Sequence, residues 1–101
     1  MDYTVHTTPN GMRVALNGRM TLIDHEKFRA VVEAIERMEG QVCVFDLSSL
    51  EFVDSSGLGM FLIARDIAQP KDVEIELAGA QDTVKRILEI AKFNTLFRVT
   101  P

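Results

Sequence analysis

The strongest constraint on this chain is a hydrophobic period that changes repeatedly along it. Val42, Cys43, Val44 and Phe45 form an unbroken apolar run, with Leu47 beyond Asp46. Before that run, Phe28, Val31, Val32 and Ile35 recur at i, i+3, i+4 and i+7, the single stripe of an amphipathic helix. Glu26, Lys27, Arg29, Glu33, Glu36 and Arg37 take the other faces. After it, Val84, Ile87, Leu88 and Ala91 repeat the helical spacing. A continuous apolar strand set between helical segments predicts a central strand covered on both faces. Asp72-Val73-Glu74-Ile75-Glu76-Leu77 alternates strictly instead, which predicts a strand with one wet face.

The remaining punctuation completes an element order. Tyr3 to Thr7 is a short strand candidate, Asn10-Gly11 is a hairpin turn signal, and Met12, Val14 and Leu16 then alternate with Arg13, Ala15 and Asn17. This predicts an N-terminal hairpin ending at Gly18. Thr21 and Asp24 have the spacing of a capping box for a helix over Asp24–Met38, which Gly40 stops. A second helix starts at Ser55 or Ser56 and runs to about Ala68, where Pro70 blocks continuation. Leu96 to Val99 either adds a short last strand or covers the core. The order β-β-α-β-α-β-α, with room for that final strand, places helices as crossovers between strands. The fold class is α/β, with a mixed, mostly parallel sheet and helices packed on it.

At 101 residues the chain is expected to form one domain spanning residues 1–101. With 47% hydrophobic and 26% charged residues it is too apolar for disorder. Its net charge of −4 lacks the basic face that phosphate contacts require, so nucleic acid is not an expected partner. The single cysteine excludes an internal disulfide, and no Cys/His set has zinc-ligand spacing. No apolar run reaches the length of about 18 residues that a membrane span needs, and Met1-Asp2-Tyr3-Thr4 does not read as a signal peptide. A cytoplasmic protein without metal or cofactor is expected.

One stretch breaks the local rules: Leu50-Glu51-Phe52-Val53-Asp54-Ser55-Ser56-Gly57-Leu58-Gly59-Met60. Asp54, Ser55 and Ser56 are all good N-cap types. Gly57 and Gly59 each cost up to about 1 kcal/mol against alanine inside a helix. Two of them in one turn point to a close approach by another backbone or by a partner. The helix they open spreads Leu58, Met60, Phe61, Leu62, Ile63, Ala64 and Ile67 around most of its circumference, as a helix wedged between neighbours or facing a partner does. Met60 is expected to be partly exposed. A serine hydroxyl at a helix start is accessible, and a phosphate there adds about −1.5 to −2 charges. The helix dipole tolerates that charge in the free protein, whereas an uncompensated charge in an interface opposes binding.

The run Asp46-Leu47-Ser48-Ser49-Leu50-Glu51-Phe52-Val53-Asp54-Ser55-Ser56-Gly57-Leu58-Gly59 closely resembles the signature of the STAS domain family. Within it the chain looks most like the short, stand-alone anti-sigma factor antagonists of bacteria. The element order matches over essentially the full length, including the helix after Ala78-Gly79-Ala80. The resemblance implies a non-enzymatic partner-switching protein. Unphosphorylated, it binds an anti-sigma factor that is also a serine kinase and so frees the sigma factor; phosphorylation breaks the complex, and a serine phosphatase resets it. By position in the motif the acceptor is Ser55, with Ser56 as the fallback and the better candidate for the helix cap. Asp54 would support the acceptor hydroxyl. The implied partner-binding surface comprises Arg19, Thr21, Ser56, Gly57, Leu58, Gly59 and Met60, and a monomer or weak dimer is expected. The chain departs from the family at Gly18-Arg19-Met20-Thr21, where an aspartate is usual in place of Thr21.

Other readings are weaker. Gly57-Leu58-Gly59 has the start of a dinucleotide loop, but Leu62 stands where the third glycine belongs. Ser55 lacks the Gly-x-Ser-x-Gly elbow of a hydrolase, and no histidine follows it; His6 and His25 lie far upstream. Cys43 reads as a small core residue. A further alternative keeps the fold and changes the role: a STAS module serving as scaffold or regulatory subunit in a larger signalling assembly, with a non-transcriptional output.

Overall fold

A computed structural model describes all residues from Met1 to Pro101. Strands β1 (Asp2–Thr8) and β2 (Gly11–Met20) form the hairpin, followed by a 3-10 turn at Leu22–Asp24 and helix α1 (His25–Arg37). Strand β3 (Val42–Val53) leads into α2 (Ser55–Ala68), β4 (Glu74–Ala78), α3 (Asp82–Ile90) and β5 (Arg98–Thr100). The strands lie side by side in chain order, with β1 antiparallel to β2 and every later neighbour parallel. The final strand therefore exists, as a three-residue parallel edge.

Right-handed crossovers between strands laid down in one direction put every connecting helix on the same face of the sheet. Burial follows that rule and corrects one expectation. Along β3, Cys43, Phe45 and Leu47 are buried, while Val42, Val44 and Asp46 between them are only half-buried. The central strand is thus covered on one face, not two. Its other face carries charge: Arg13 pairs with Asp46, and Arg98 lies against Glu74 and Glu76. The unbroken valine run is central because it has a strand on each side, and side chains of neighbouring strands give its outer face partial cover.

The core is one cluster built from the inner faces of the strands and the stripes of the helices. Phe28 of α1, Phe45 of β3 and Phe61 of α2 meet at its centre with ring centroids 5.4 to 6.3 Å apart. Each such aromatic pair contributes about 0.5–1.5 kcal/mol beyond area burial. This triad fixes α2 against both the sheet and α1, and so sets where the first turn of α2 points.

One strand boundary near the turn differs from expectation. β2 does not stop at Gly18 but continues to Met20. Gly18 has φ +83°, and the pairing with β3 shifts register at Ala15/Asn17 and at Gly18/Arg19. The extra residue of each shift lies on β3, Glu51 at the second, and glycine allows β2 to take a left-handed kink opposite that bulge and run on. This extension carries Arg19 and Met20 to the end of β3, opposite Phe52 and Val53.

Candidate functional site

Asp54 leaves β3 in an extended conformation and caps α2: its Oδ1 accepts from the Gly57 backbone N–H at 2.8 Å. The cap is therefore Asp54, not Ser56. Ser55 becomes the first helical residue and is exposed, Ser56 the second and half-buried. The Asp54 N–H donates to the Met20 carbonyl at 3.1 Å, which ties the turn to the end of β2.

Gly57 is buried, and the approach it allows is internal. A Cβ there would lie 2.8 Å from the Met20 carbonyl oxygen and would run into the Val53 side chain. Helix α2 can dock this closely on the ends of β2 and β3 only without a side chain at that point. Gly59 differs: nothing lies within 4 Å of where its Cβ would be. Met60, expected to be partly exposed, is 1% exposed and belongs to the core; it supports the surface from beneath and does not present to it. The core-facing side of α2 is Gly57, Met60, Phe61, Ala64 and Ala68, whereas Leu58 and Leu62 are half-buried and Ile63 is 41% exposed.

The rim beside this turn comes from β2 and the residues after it. Arg19 is exposed, and its guanidinium carbon sits 4.4 Å from the centroid of the Phe52 ring. Thr21 is half-buried; its N–H donates to Asp24 Oδ2 at 2.8 Å, which is the acidic half of the expected capping box. Burial opposes ionisation of Asp24, but the Thr21 N–H and the Met1 ammonium at 3.0 Å outweigh it, and the carboxyl is held below its usual range. The 3-10 turn between them lies against α2 and exposes Leu22 at 65% and Ile23 at 89%. Neither residue stands out in the sequence as part of the site. Their signal was available: counted back from Phe28 at helical spacing, Asp24 falls on the buried stripe, and Leu22 and Ile23 fall off it.

The Asp46-Leu47-Ser48 part of the motif lies elsewhere, on the open face of the sheet. Asp46 Oδ1 accepts from the Ser48 N–H at 3.1 Å and from its hydroxyl at 2.7 Å, and Oδ2 faces Arg13. Burial works against the Asp46 charge, but Arg13 and then Ser48 outweigh it and hold the carboxyl below its usual range. Its place is at the point where β3 passes the end of β4, with Gly79 packed against Ser48. The arrangement holds the strand that carries the turn, apart from the turn itself. Cys43 is buried, and burial pushes its thiol up to about 12, so it is inert core. His6 and His25 are exposed on β1 and α1.

The ridge that results can present a hydroxyl at the positive end of a helix, beside an arginine and an apolar rim. Comparisons with known proteins agree with this architecture. The family described as Mlab, STAS domain matches residues 3–99. A STAS-domain containing protein of Pseudomonas aeruginosa is 33% identical over 89 residues, covering 88% of this chain and 87% of that one. An anti-sigma-B factor antagonist of Listeria monocytogenes is 29% identical over 73 residues, covering 72% of this chain and 64% of that one. Among solved structures, an anti-sigma factor antagonist of Mycobacterium paratuberculosis superposes with a TM-score of 0.87 at 17% identity, over 99% of this chain and 85% of that one. The antagonist SpoIIAA in its unphosphorylated form gives 0.82 at 19%, over 99% and 89%. A sulfate transporter family protein of Wolinella succinogenes gives 0.73 at 16%, over 87% and 74%. With its sheet order, its capped Asp54-Ser55-Ser56-Gly57 turn and a family match over nearly its whole length, the chain belongs to the STAS domain family.

Proposed function

We propose that this protein is an anti-sigma factor antagonist whose docking surface is the first turn of α2 and its rim, and that phosphorylation of Ser55 switches it off. The observation that carries this reading is the division of labour at the turn. Asp54 takes the capping role and leaves the Ser55 hydroxyl exposed at the first helical position. Named anti-sigma factor antagonists among the relatives supply the partner class.

The partner is an anti-sigma factor with serine kinase activity. It would hold the nucleoside triphosphate and the base, since the chain's own residues do no more than present the acceptor. Ser55 Oγ attacks the γ-phosphorus, the bond to the nucleoside diphosphate breaks, and the hydroxyl proton leaves to the partner's base. Arg19, Thr21, Ser56, Leu58 and Gly59 form the contact surface, with Gly57 and Met60 behind it as packing. In the free protein the helix N-terminus stabilises the new charge by about 0.3–1 kcal/mol. In the complex, an uncompensated charge in the interface costs about 3–5 kcal/mol by analogy with broken buried pairs, a loss of 100-fold or more in affinity. A serine phosphatase would restore binding.

The test compares Ser55→Ala and Ser55→Asp proteins as baits in lysate of the native cell, followed by labelling of the native chain with ATP and the captured protein. Expected is an ATP-binding protein retained by the alanine form, lost with the aspartate form, and able to place label on Ser55. A second reading, a subunit of a larger assembly that is never modified, draws on the Mlab description and on the occurrence of this fold in a sulfate transporter family protein. Equal retention of one set of proteins by both baits would select it.

A further inference from the structure

Six of the eleven lysines and arginines of this chain have a partner. Arg13, Lys27, Arg29, Arg37 and Arg98 each face a carboxylate within 4 Å. Arg65, at the far end of α2, donates to the Leu96 carbonyl at 3.0 Å. Arg19 is different. It is exposed, and its guanidinium lies on the Phe52 ring with no carboxylate opposite it. Its position is set by backbone pairing: Arg19 is opposite Phe52, and the next residue, Met20, accepts the hydrogen bond of Asp54, immediately before Ser55. The continuation of β2 past Gly18, opposite a β3 bulge at Glu51, brings this charge to the switch turn.

We propose that Arg19 is the internal counter-ion of the switch: once Ser55 carries a phosphate, the guanidinium leaves Phe52 and pairs with the phosphate oxygens. This rests on Ser55 as the acceptor and adds how the modified state is held. An exposed cation resting on a phenylalanine ring is weakly bound, whereas a guanidinium–phosphate pair is charge-assisted and can be bidentate, so the arm has a clear preference once the phosphate is present. None of the other ionisable groups on the elements that meet here forms an ion pair with Arg19. Asp54 is engaged with the Gly57 N–H, and Asp24 with Thr21 and the Met1 ammonium. Glu51 and His25 are exposed on β3 and α1, and the first turn of α2 has no acidic residue. Phosphorylation then changes the docking face twice, by adding an anion and by drawing away the cation that the unmodified surface offers a partner.

The experiment needs no kinase. The full chain is made with phosphoserine incorporated at position 55 during translation, with Arg19, with Arg19→Gln and with Arg19→Lys, and the second ionisation of the phosphate is followed by phosphorus NMR across pH 4–9. A facing cation favours the dianion, so the midpoint with Arg19 is expected about half a pKa unit below that of Arg19→Gln. Arg19→Lys should keep part of the shift, and about 0.5 M salt should shrink it. The Phe52 ring protons should also move on phosphorylation only when Arg19 is present. Coincident midpoints for Arg19 and Arg19→Gln would overturn the proposal. Because the phosphate is installed directly, that outcome stays separate from a failure to find a kinase.

Discussion

Gly57 and Gly59 stand two residues apart in the first turn of α2 and look alike as a sequence pattern, yet they sit in opposite environments. Gly57 is pressed against the ends of β2 and β3, where even a methyl group would meet the Met20 carbonyl. Gly59 faces open space. One glycine serves the fold by letting the helix dock; the other has no internal reason to be glycine at all. The same division runs through the whole turn, with Gly57, Met60 and Phe61 inward and Ser55 and Gly59 outward. The exposed outer side of the turn, which we propose as the docking surface, is thus mounted on a packed inner side that holds Ser55 at the end of the central strand.

The largest test of this division is Gly57→Ala. The added Cβ would have to displace backbone, because its nearest neighbours include the Met20 carbonyl oxygen at 2.8 Å. Overpacking of this kind costs about 1–3 kcal/mol, less the helix-propensity gain of up to about 1 kcal/mol from replacing glycine. Net destabilisation in urea unfolding is expected. A variant as stable as the native chain would show that the helix end can slide outward, and that the inner side is not rigid.

Next comes Asp54→Ala. Its carboxylate holds the Gly57 N–H, and removing an N-cap of this type costs about 0.5–2 kcal/mol, with Asp54→Asn recovering most of it. If Asp54 only caps, the alanine and asparagine forms should differ in stability by that amount. If it supports the acceptor as well, Asp54→Asn should be phosphorylated more slowly than the native chain while remaining nearly as stable. Unfolding midpoints and initial rates of phosphate incorporation, measured on the same samples, separate the two roles.

Much of this is legible in the sequence, because it rests on periodicity. The stripes of α1 and α3, the wet face of β4 and the alternation in β2 follow from side-chain direction alone, and each appears where the spacing puts it. What was not legible depends on neighbours far along the chain. The run Val42–Phe45 reads as buried on both faces, but only the direction in which the crossovers wind decides that one face stays open. Three adjacent residues are good N-caps by type, and the geometry at the end of β3 selects Asp54. Met60 reads as partly exposed because α2 is apolar almost all round, and a helix like that shows no stripe from which to read its inner side; it is buried. The kink at Gly18 left a trace in the sequence, a glycine after an alternating strand, which reads equally well as an end and as a kink.

Gly59→Ala places a methyl group in open space on a helix, so the native fold should gain up to about 1 kcal/mol, opposite in sign to Gly57→Ala. A chain under pressure for stability alone would have no use for glycine there. If the outer side is a docking surface that a partner's backbone approaches closely, the same substitution should weaken partner binding while raising the unfolding midpoint. The two readouts then move in opposite directions in one variant, which loss of folding cannot imitate. Should the midpoint rise with partner affinity unchanged, the contact lies toward Arg19 and the Leu22–Ile23 rim, and Gly59 has no part in it. A falling midpoint would instead mean that the outer side carries packing of its own, and the division between the two faces of the turn would fail.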